Sequence, residues 1–274
     1  MGEVHEQRLI PRPSSVQRAW RVSRGVVVPL ITLVVLLGLW EVLVILFQVP
    51  VFLLPSPSAV YAAMSAEVGS LLGHTWATFQ TVALGFGVAV ALGLPLAVAI
   101  GSSEAISRAL YPLLVVIQST PIIAIAPIIV VILGTGQNSR VVVTFLICFF
   151  PLVVSAARGL MATPSELRDL AQTTRMSFAQ ELMLVRLPYA LPFLFSGLRV
   201  AITLAVIGAV VGEFVSANQG LGYRITQAMA FFHTPLAFGS VLLLALMGVS
   251  LFGLIVGIER VLFPWSGGGD RDER

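Results

Sequence analysis

A series of long apolar runs, separated by short polar segments, is the feature that most constrains this chain. Each run reaches the ~20 residues that an α-helix needs to cross the ~30 Å hydrocarbon core of a bilayer. Because helices satisfy their backbone hydrogen bonds internally, runs of this length favour transmembrane helices. The sequence therefore predicts an all-α membrane protein, a six-span helical bundle. The predicted spans are Val26–Phe47, Thr75–Gly101, Ala109–Gly134, Arg140–Met161, Tyr189–Ser216 and Pro235–Phe263.

The composition agrees with lipid as the main solvent. Hydrophobic residues make up 57% of the chain and charged residues only 11%, whereas a soluble domain carries about 25% charged residues. A chain this apolar has too few polar residues to form a globular surface exposed to water. The net charge of +3 is modest. We interpret it as the arginine bias that sets membrane topology rather than as a nucleic-acid-binding surface, and we expect no nucleic-acid partner.

Two of the predicted spans carry additional signals. Val26–Phe47 follows a basic segment, as a signal peptide would, but it is longer than the roughly 7–15 apolar residues of a signal. It also lacks a small-residue cleavage site after it, so we interpret it as a retained first span. The third span contains Pro112, Pro121 and Pro127, which predict kinks or a broken helix because proline removes a backbone donor.

The placement of arginine predicts the orientation in the membrane. With the N-terminus inside, most of the 16 basic residues fall on the cytoplasmic side. Only Arg140 and Arg224 then lie outside, in agreement with the positive-inside rule. Both termini are therefore expected to be cytoplasmic. The predicted regions are a tail over residues 1–25, a transmembrane domain over 26–263 and a flexible tail over 264–274.

The segment between the first two spans holds no arginine and is predicted to lie outside. Within it, the sequence Leu54-Pro55-Ser56-Pro57-Ser58 predicts a turn. Ser58 is then expected to cap a short interfacial helix over Ala59–Leu72, since serine is a favoured N-cap residue.

The residue inventory excludes several activities. No lysine is present among the 16 basic residues, so the chain cannot form a Walker A phosphate loop. The single cysteine, Cys148, lies in an apolar run and is interpreted as a small apolar filler. His5, His74 and His233 lie in separate segments without ligand spacing, so no metal site is predicted. We expect a chain that is not an enzyme and binds no cofactor itself.

Small residues recur at every fourth position of the second predicted span, along one face of a helix. Small side chains at this spacing let another backbone approach closely. The sequence therefore predicts a helix-packing ladder. Its members are Gly85, Ala89, Gly93, Ala97 and Gly101.

The segment Thr163–Pro188 is polar enough to leave the membrane, yet it is patterned as helix. Thr163–Glu166 matches a capping box with proline at the first helical position, and Ser177–Gln180 matches a second box. Apolar residues follow each box at helical spacing. We predict two short amphipathic helices that meet near Arg175, with an apolar face that packs either on its own bundle or on a cytoplasmic subunit.

Several stretches in the same order resemble the permease subunits of ABC importers. They are Glu166–Ala171, Leu187–Pro192, Ser196–Arg199, Leu54–Ser58, Gln118–Pro121, Gly212–Phe214 and Gly220–Tyr223. Together they are most similar to the nitrate, sulfonate, taurine and pyrimidine-precursor branch of the binding-protein-dependent type I permeases, over about residues 30 to 265. The resemblance implies a permease homodimer in the bacterial cell membrane. It also implies two cytoplasmic ATPase subunits that bind ATP and magnesium, and an external solute-binding protein.

In that family the cytoplasmic segment docks in a groove of the ATPase and transmits its closure. The resemblance implies the same role here for Glu166, Asp169, Leu170, Ala171, Arg175, Ser177 and Phe178. The chain departs from the family pattern, because Asp169-Leu170-Ala171 stands in place of Glu-Ala-Ala and Arg175 stands where glycine is usual. If that turn requires a left-handed residue, arginine costs about 1–2 kcal/mol there.

Polar side chains at membrane depth are costly and are therefore candidates for function. Gln118, Ser119 and Thr120 lie in the middle of the third span. We expect them to face the bundle interior, where they line a translocation path or form interhelical hydrogen bonds. Glu213, near the outer end of the fifth span, is expected to line the path or to hold a gate.

Two further charges lie within predicted spans. Arg199, near the inner end of the fifth span, is expected to tie the inner bundle together. Glu41, late in the first span, is expected to snorkel to the outer interface or to form a helix–helix pair rather than to take part in transport.

The function predicted from the sequence is alternating-access import of a small polar solute, driven by a separate ATPase. The branch implies nitrate, sulfonates, bicarbonate or heterocyclic vitamin precursors, and His233–Phe238 is closest to permeases for pyrimidine or flavin precursors. A secondary transporter without an ATPase is the alternative. An intramembrane enzyme is disfavoured, because the sequence contains no catalytic constellation.

Overall fold

The computed structural model describes residues 15–216 and 218–263, with the backbone alone for residues 15–26. The described chain is helical, and its helices run in the order α1 Ser15–Leu46, α2 Pro57–Ala66, α3 Val68–Ser102, α4 Glu104–Gln118, α5 Ile122–Leu133, α6 Gln137–Met161, α7 Ser165–Thr173, α8 Phe178–Glu181, α9 Leu187–Ser216, α10 Leu221–Ala230 and α11 Thr234–Leu262. A π-helical turn, Leu182–Arg186, joins α8 to α9. The predicted tail over residues 264–274 lies outside the described residues.

The described residues contain five helical stretches long and apolar enough to cross a membrane. They are α1, α3, α6, the continuous run Phe178–Ser216 and α11. Helices α4 and α5, which meet at a bend of 90°, pass the same test as a pair and make a sixth span when they are counted as one broken helix. The prediction of a six-span bundle with a broken third span is therefore confirmed.

Helix α6 is the centre of the bundle and packs most extensively against α9 and α3. Its buried side chains include Cys148, Leu152 and Val153, none of which exposes any surface. Cys148 thus lies inside the core, as expected for an apolar filler. This arrangement makes α6 the common wall against which the neighbouring spans are positioned.

The small-residue ladder of α3 lies against α6. A Cβ atom added at Gly85 would lie 2.5 Å from Cγ2 of Thr144, and one at Gly101 would lie 2.5 Å from Cβ of Leu160. Such distances are well inside van der Waals contact, so a larger residue would push the two helices apart. Ala89 and Ala97 are buried on the same face.

The observed helix α2 differs from the helix that was predicted over Ala59–Leu72. Its N-cap is Ser56, whose Oγ accepts a hydrogen bond from the backbone N–H of Ala59 at 3.3 Å, and Pro57 is its first residue. The chain breaks at Glu67, and α3 then begins at Val68. The expectation of a Ser58 cap and a helix over Ala59–Leu72 was therefore wrong, because proline at the first helical position moves the cap to the residue before it.

Ser58 instead binds the first span. Its hydroxyl donates to Oε1 of Glu41 at 2.6 Å, and its backbone N–H donates to Oε2 at 3.0 Å. A carboxylate at a helix N-terminus accepts otherwise unpaired backbone donors. Glu41 thus forms the helix–helix pair that was one of its two predicted roles. Helix α1 also begins as early as Ser15, within the predicted N-terminal tail.

Candidate coupling segment and translocation groove

The first half of the coupling segment is α7, which starts later than predicted. Its N-cap is Pro164, without a side-chain cap. Thr163 is buried, and its hydroxyl donates to the carbonyl of Leu160 at 3.1 Å rather than to the first turn of α7. The Thr163 capping box is therefore not formed, because the threonine side chain is directed back to the end of α6.

The turn after α7 is a Schellman motif centred on Arg175. The backbone N–H of Met176 donates to the carbonyl of Ala171, and that of Arg175 donates to the carbonyl of Gln172, both at 3.0 Å. Arg175 has a φ of 52°, the left-handed conformation that this motif requires and that glycine adopts most easily. The left-handed conformation that the sequence analysis considered for this turn is thus observed at Arg175.

The second half of the segment begins with a formed capping box. The backbone N–H of Ser177 donates to Oε1 of Gln180 at 2.8 Å, and the Ser177 Oγ accepts from the N–H of Gln180 at 3.4 Å. The helix that starts here does not end as a separate short element. It continues through the π-helical turn directly into α9, so the coupling segment and a membrane span form one continuous helical run.

Arg186 links this run to α3. Its Nε donates to Oε1 of Glu181 at 2.7 Å, and its NH1 donates to the carbonyl of Gly101 at 3.0 Å. A cation at a helix C-terminus binds the unpaired carbonyls there and complements the helix dipole. The link was not predicted, because no spacing in the sequence relates Arg186 to Gly101.

The predicted coupling residues differ in how much of their surface is exposed. Ala171 is 2% exposed and anchors α7, whereas Leu170 is 59% exposed and Phe178 is 54% exposed. Glu166, Asp169, Arg175 and Ser177 are exposed as well. The segment therefore presents apolar side chains that the rest of this chain leaves uncovered, and Leu170 lies outside the candidate membrane spans.

A polar groove lies at the bend between α4 and α5. It has a volume of about 480 Å³ and is lined by Val115, Gln118, Ser119, Pro151, Val154, Ser155, Arg158 and Val200. Thr120 is exposed at the break beside it. Within the described part of the chain, the side chains of Gln118, Ser119 and Thr120 form no hydrogen bond to another helix. The break thus places Gln118 and Ser119, two of the four residues predicted for the path, on a groove that opens to the surface of the single chain.

Glu213 lies elsewhere, in a buried cluster at the start of α10. It is 1% exposed. Its Oε1 accepts from the hydroxyl of Thr78 at 2.8 Å, and its Oε2 accepts from the backbone N–H of Gly222 at 2.7 Å. Thr78 in turn accepts from the backbone N–H of Leu221 at 2.8 Å. Side chains of α3 and α9 therefore satisfy the first backbone donors of α10.

The same cluster is completed by two further contacts. The backbone N–H of Gly220 donates to Nδ1 of His74 at 3.1 Å, and NH1 of Arg140 donates to the carbonyl of Gln219 at 3.1 Å. Gly220 has a φ of 113°, and an added Cβ would overlap the Glu213 carboxyl group. The cluster fixes α10 to three spans. In the single chain Glu213 lines neither the groove nor any open surface.

Comparison with known families identifies the chain. The family model for the binding-protein-dependent transport system inner membrane component matches residues 89–265. The chain belongs to this family. The permease is therefore the transport subunit of an ABC transporter, which works with ATPase partners and is not itself an enzyme. This membership decides against the secondary-transporter alternative.

Relatives of the permease differ in the solutes for which they are named. It is 40% identical to the riboflavin transport system permease protein of Chloroflexus aurantiacus, over 94% of this chain and 96% of the relative. It is 36% identical to the formylaminopyrimidine transport permease protein of Halalkalibacterium halodurans, over 86% of this chain and 95% of the relative. It is 29% identical to the taurine transport system permease protein of Escherichia coli, over 97% and 96%.

The fold of the permease is also found among solved structures. It resembles a chain of the MetNI methionine ABC transporter in an inward-facing conformation, with a TM-score of 0.63 and 19% identity. The match covers 72% of this chain and 97% of that chain. At this identity the likeness shows a shared fold.

Within the permease, Arg199 connects two spans at the predicted place. Its NH1 lies 3.5 Å from Oε2 of Glu259, which joins α9 to α11. The expectation that Arg199 ties spans of the bundle together is confirmed. An interhelical ion pair of this kind satisfies two charges that would otherwise be costly in a membrane.

Proposed function

We propose that this permease imports a small polar solute by alternating access, coupled to ATP hydrolysis by separate subunits that bind ATP and magnesium. The observation that carries the proposal is the exposed apolar face of the coupling segment, where Leu170 is 59% exposed although it lies outside the membrane spans. Burying such a side chain on a partner gains about 1.5–3 kcal/mol. Closure of the ATPase pair would then move α7 and, through the turn at Arg175, the helical run that continues into α9.

The proposed assembly contains two copies of this permease, two ATPases and an external solute-binding protein. Support for a second copy comes from surface that one chain leaves open. Only 6% of the apolar window of α1 is buried, and the groove at the α4–α5 bend opens to the surface. We propose that both termini are cytoplasmic, in line with the distribution of arginine.

The proposed translocation path follows the break between α4 and α5. Gln118, Ser119 and Thr120 supply polar side chains at this point, where the helix is interrupted. Broken helices with freed backbone groups are common at the substrate sites of membrane transporters. Glu213 is proposed to hold the outer gate by fixing α10, since its carboxylate is fully engaged by Thr78 and Gly222.

The proposed substrate is a heterocyclic vitamin precursor of the pyrimidine or flavin type. The support is the order of identities, because the relatives named for riboflavin and formylaminopyrimidine are 40% and 36% identical, whereas the relative named for taurine is 29% identical. Import of taurine, another sulfonate, nitrate or bicarbonate is the second candidate. Most of the selectivity would reside in the binding protein.

The test is reconstitution of the permease in lipid with its cognate ATPase and binding protein. ATP hydrolysis is measured with binding protein loaded with riboflavin, a formylaminopyrimidine or taurine, and with Leu170→Asp and Ala171→Asp variants. Loaded binding protein is expected to stimulate hydrolysis, and Leu170→Asp is expected to abolish the stimulation while assembly in detergent is retained. Arg108→Ala, at an exposed site on α4, is the control and should remain coupled.

Two outcomes would contradict the proposal. Solute uptake without any ATPase would remove the coupling mechanism, and full stimulation in Leu170→Asp would remove the docking role of the segment. Ala171→Asp is the weaker probe, because Ala171 is 2% exposed and a buried aspartate disturbs folding itself. Selective stimulation by taurine would contradict the heterocycle assignment alone.

A further inference from the structure

The groove at the α4–α5 bend contains an arginine from near the end of the fourth span. Arg158 lies within α6, in its last turns, and its side chain lines the groove beside Ser155. Three helices contribute to the walls, since Gln118 ends α4 and Val200 belongs to α9. The groove therefore combines one cation, hydroxyl and amide groups, and an aliphatic wall.

Arg158 is one of the arginines of the bundle that pair with no carboxylate, and its partner is a neutral side chain. Nε of Arg158 donates to the hydroxyl of Tyr111 at 2.6 Å. In the described part of the chain, no carboxylate lies within salt-bridge distance of it. Four other arginines each pair with a glutamate, as Arg108–Glu104, Arg186–Glu181, Arg199–Glu259 and Arg224–Glu67.

Arg158 lies near the end of α6 and is exposed in the single chain, so a solute in the groove can reach its guanidinium. The Tyr111 hydroxyl is neutral, so it orients the side chain without neutralising its charge. One edge of the guanidinium is used by this bond, and the remaining N–H groups have no acceptor among the described residues. Paired oxygen atoms are the partners that this planar fork binds best.

We propose that the groove is a solute-binding station of the permease, and that Arg158 recognises there a solute with carboxyl, sulfonyl or ring-carbonyl oxygens. The inference rests on the proposed import function and goes beyond it by naming a substrate class and the residue that selects it. The volume of about 480 Å³ lies in the range of small-molecule sites. Val115, Val154 and Val200 offer an apolar surface to the body of the solute, and cationic solutes are excluded.

The test measures the electrostatic selectivity of the groove without requiring the natural solute. A cysteine is placed at Ser155 in the full complex, and its modification rate is measured with an anionic sulfonate-bearing thiosulfonate reagent and with a cationic trimethylammonium one. Each rate is divided by the rate for a free thiol in water. We expect the anionic reagent to be favoured by roughly tenfold or more, because the Arg158 charge attracts one reagent and repels the other.

Arg158→Gln in the Ser155→Cys background is expected to bring the two normalised rates to within about twofold, whereas Arg158→Lys keeps the preference because the charge remains. Arg108→Gln is the matched control, since Arg108 is exposed and does not line the groove. It should leave the ratio unchanged. Cys148, the native thiol, is fully buried, and the unmodified background should show no labelling.

Three results would overturn the inference. They are a cysteine at Ser155 that reacts with neither reagent, a cationic preference, and a ratio that persists in Arg158→Gln. None of these results bears on whether loaded binding protein stimulates ATP hydrolysis. Failure of the binding station and failure of the import function are thus separated by two different readouts.

Discussion

The carboxylate of Glu213 accepts a hydrogen bond from the backbone N–H of Gly222 at 2.7 Å, across the turn that joins α9 to α10. This contact converts a buried charge of a membrane span into a cap for the next helix. Helix N-termini carry unpaired donors and a partial positive charge, so a carboxylate is stabilised there. This end of the bundle is thereby held by side-chain hydrogen bonds as well as by packing.

Replacement of Glu213 by alanine should lower stability strongly. The Gly222 N–H would lose its acceptor in a buried site, at about 1–3 kcal/mol, whereas the Thr78 hydroxyl keeps the carbonyl of His74 as an acceptor at 3.2 Å. The measurement is thermal unfolding of the purified permease followed by tryptophan fluorescence. Glu104→Ala, which removes an exposed pair with Arg108, should leave the midpoint nearly unchanged. Equal midpoints for the two variants would contradict the role of Glu213 as a cap.

The contact between α3 and α6 predicts opposite effects for two glycines of one helix. A Cβ at Gly85 would lie 2.5 Å from Thr144, whereas one at Gly87 would meet nothing within 4 Å. Gly85→Ala should therefore separate the helices and lower the unfolding midpoint. Gly87→Ala should be neutral or stabilising by about 0.5–1 kcal/mol, since alanine is favoured over glycine in a helix. A tolerated Gly85→Ala would show that the close packing is not required.

The left-handed turn of the coupling segment predicts a stabilising substitution. Arg175 has a φ of 52°, which costs a residue with a Cβ about 1–2 kcal/mol. Arg175→Gly should raise the unfolding midpoint and leave ATPase stimulation intact, whereas Arg175→Val should lower the midpoint because β-branched residues avoid this conformation. A loss of stimulation in Arg175→Gly would instead assign the arginine side chain a direct part in docking.

Local signals in the sequence were sufficient for much of the fold. Run length predicted the spans, and the prolines around Pro121 predicted the broken third span because proline cannot continue the hydrogen-bond pattern. The Ser177 capping box formed as predicted, since its donors and acceptors lie within one turn. Arg199 paired between spans because a lone charge in a membrane requires a partner.

The remaining features depend on contacts between residues far apart in the sequence. The bond from Ser58 to Glu41, the bond from Arg186 to Gly101 and the cluster around Glu213 each join separate helices. No periodicity encodes such pairs. The position of Arg158 in a groove was missed for the same reason, because the groove is formed by α4, α6 and α9, whose lining residues are far apart in the sequence.

Cross-linking from Leu170 tests the central claim most directly. A cysteine at Leu170 in the reconstituted complex is treated with a short bifunctional thiol-to-amine reagent, and the products are separated by mass. We predict a product of the permease with its ATPase subunit, because Leu170 is 59% exposed on the coupling segment. A cysteine at Val249, which is 71% exposed on the membrane span α11, should give no such product. A complex that hydrolyses ATP yet yields no ATPase product from Leu170 would contradict docking through this segment.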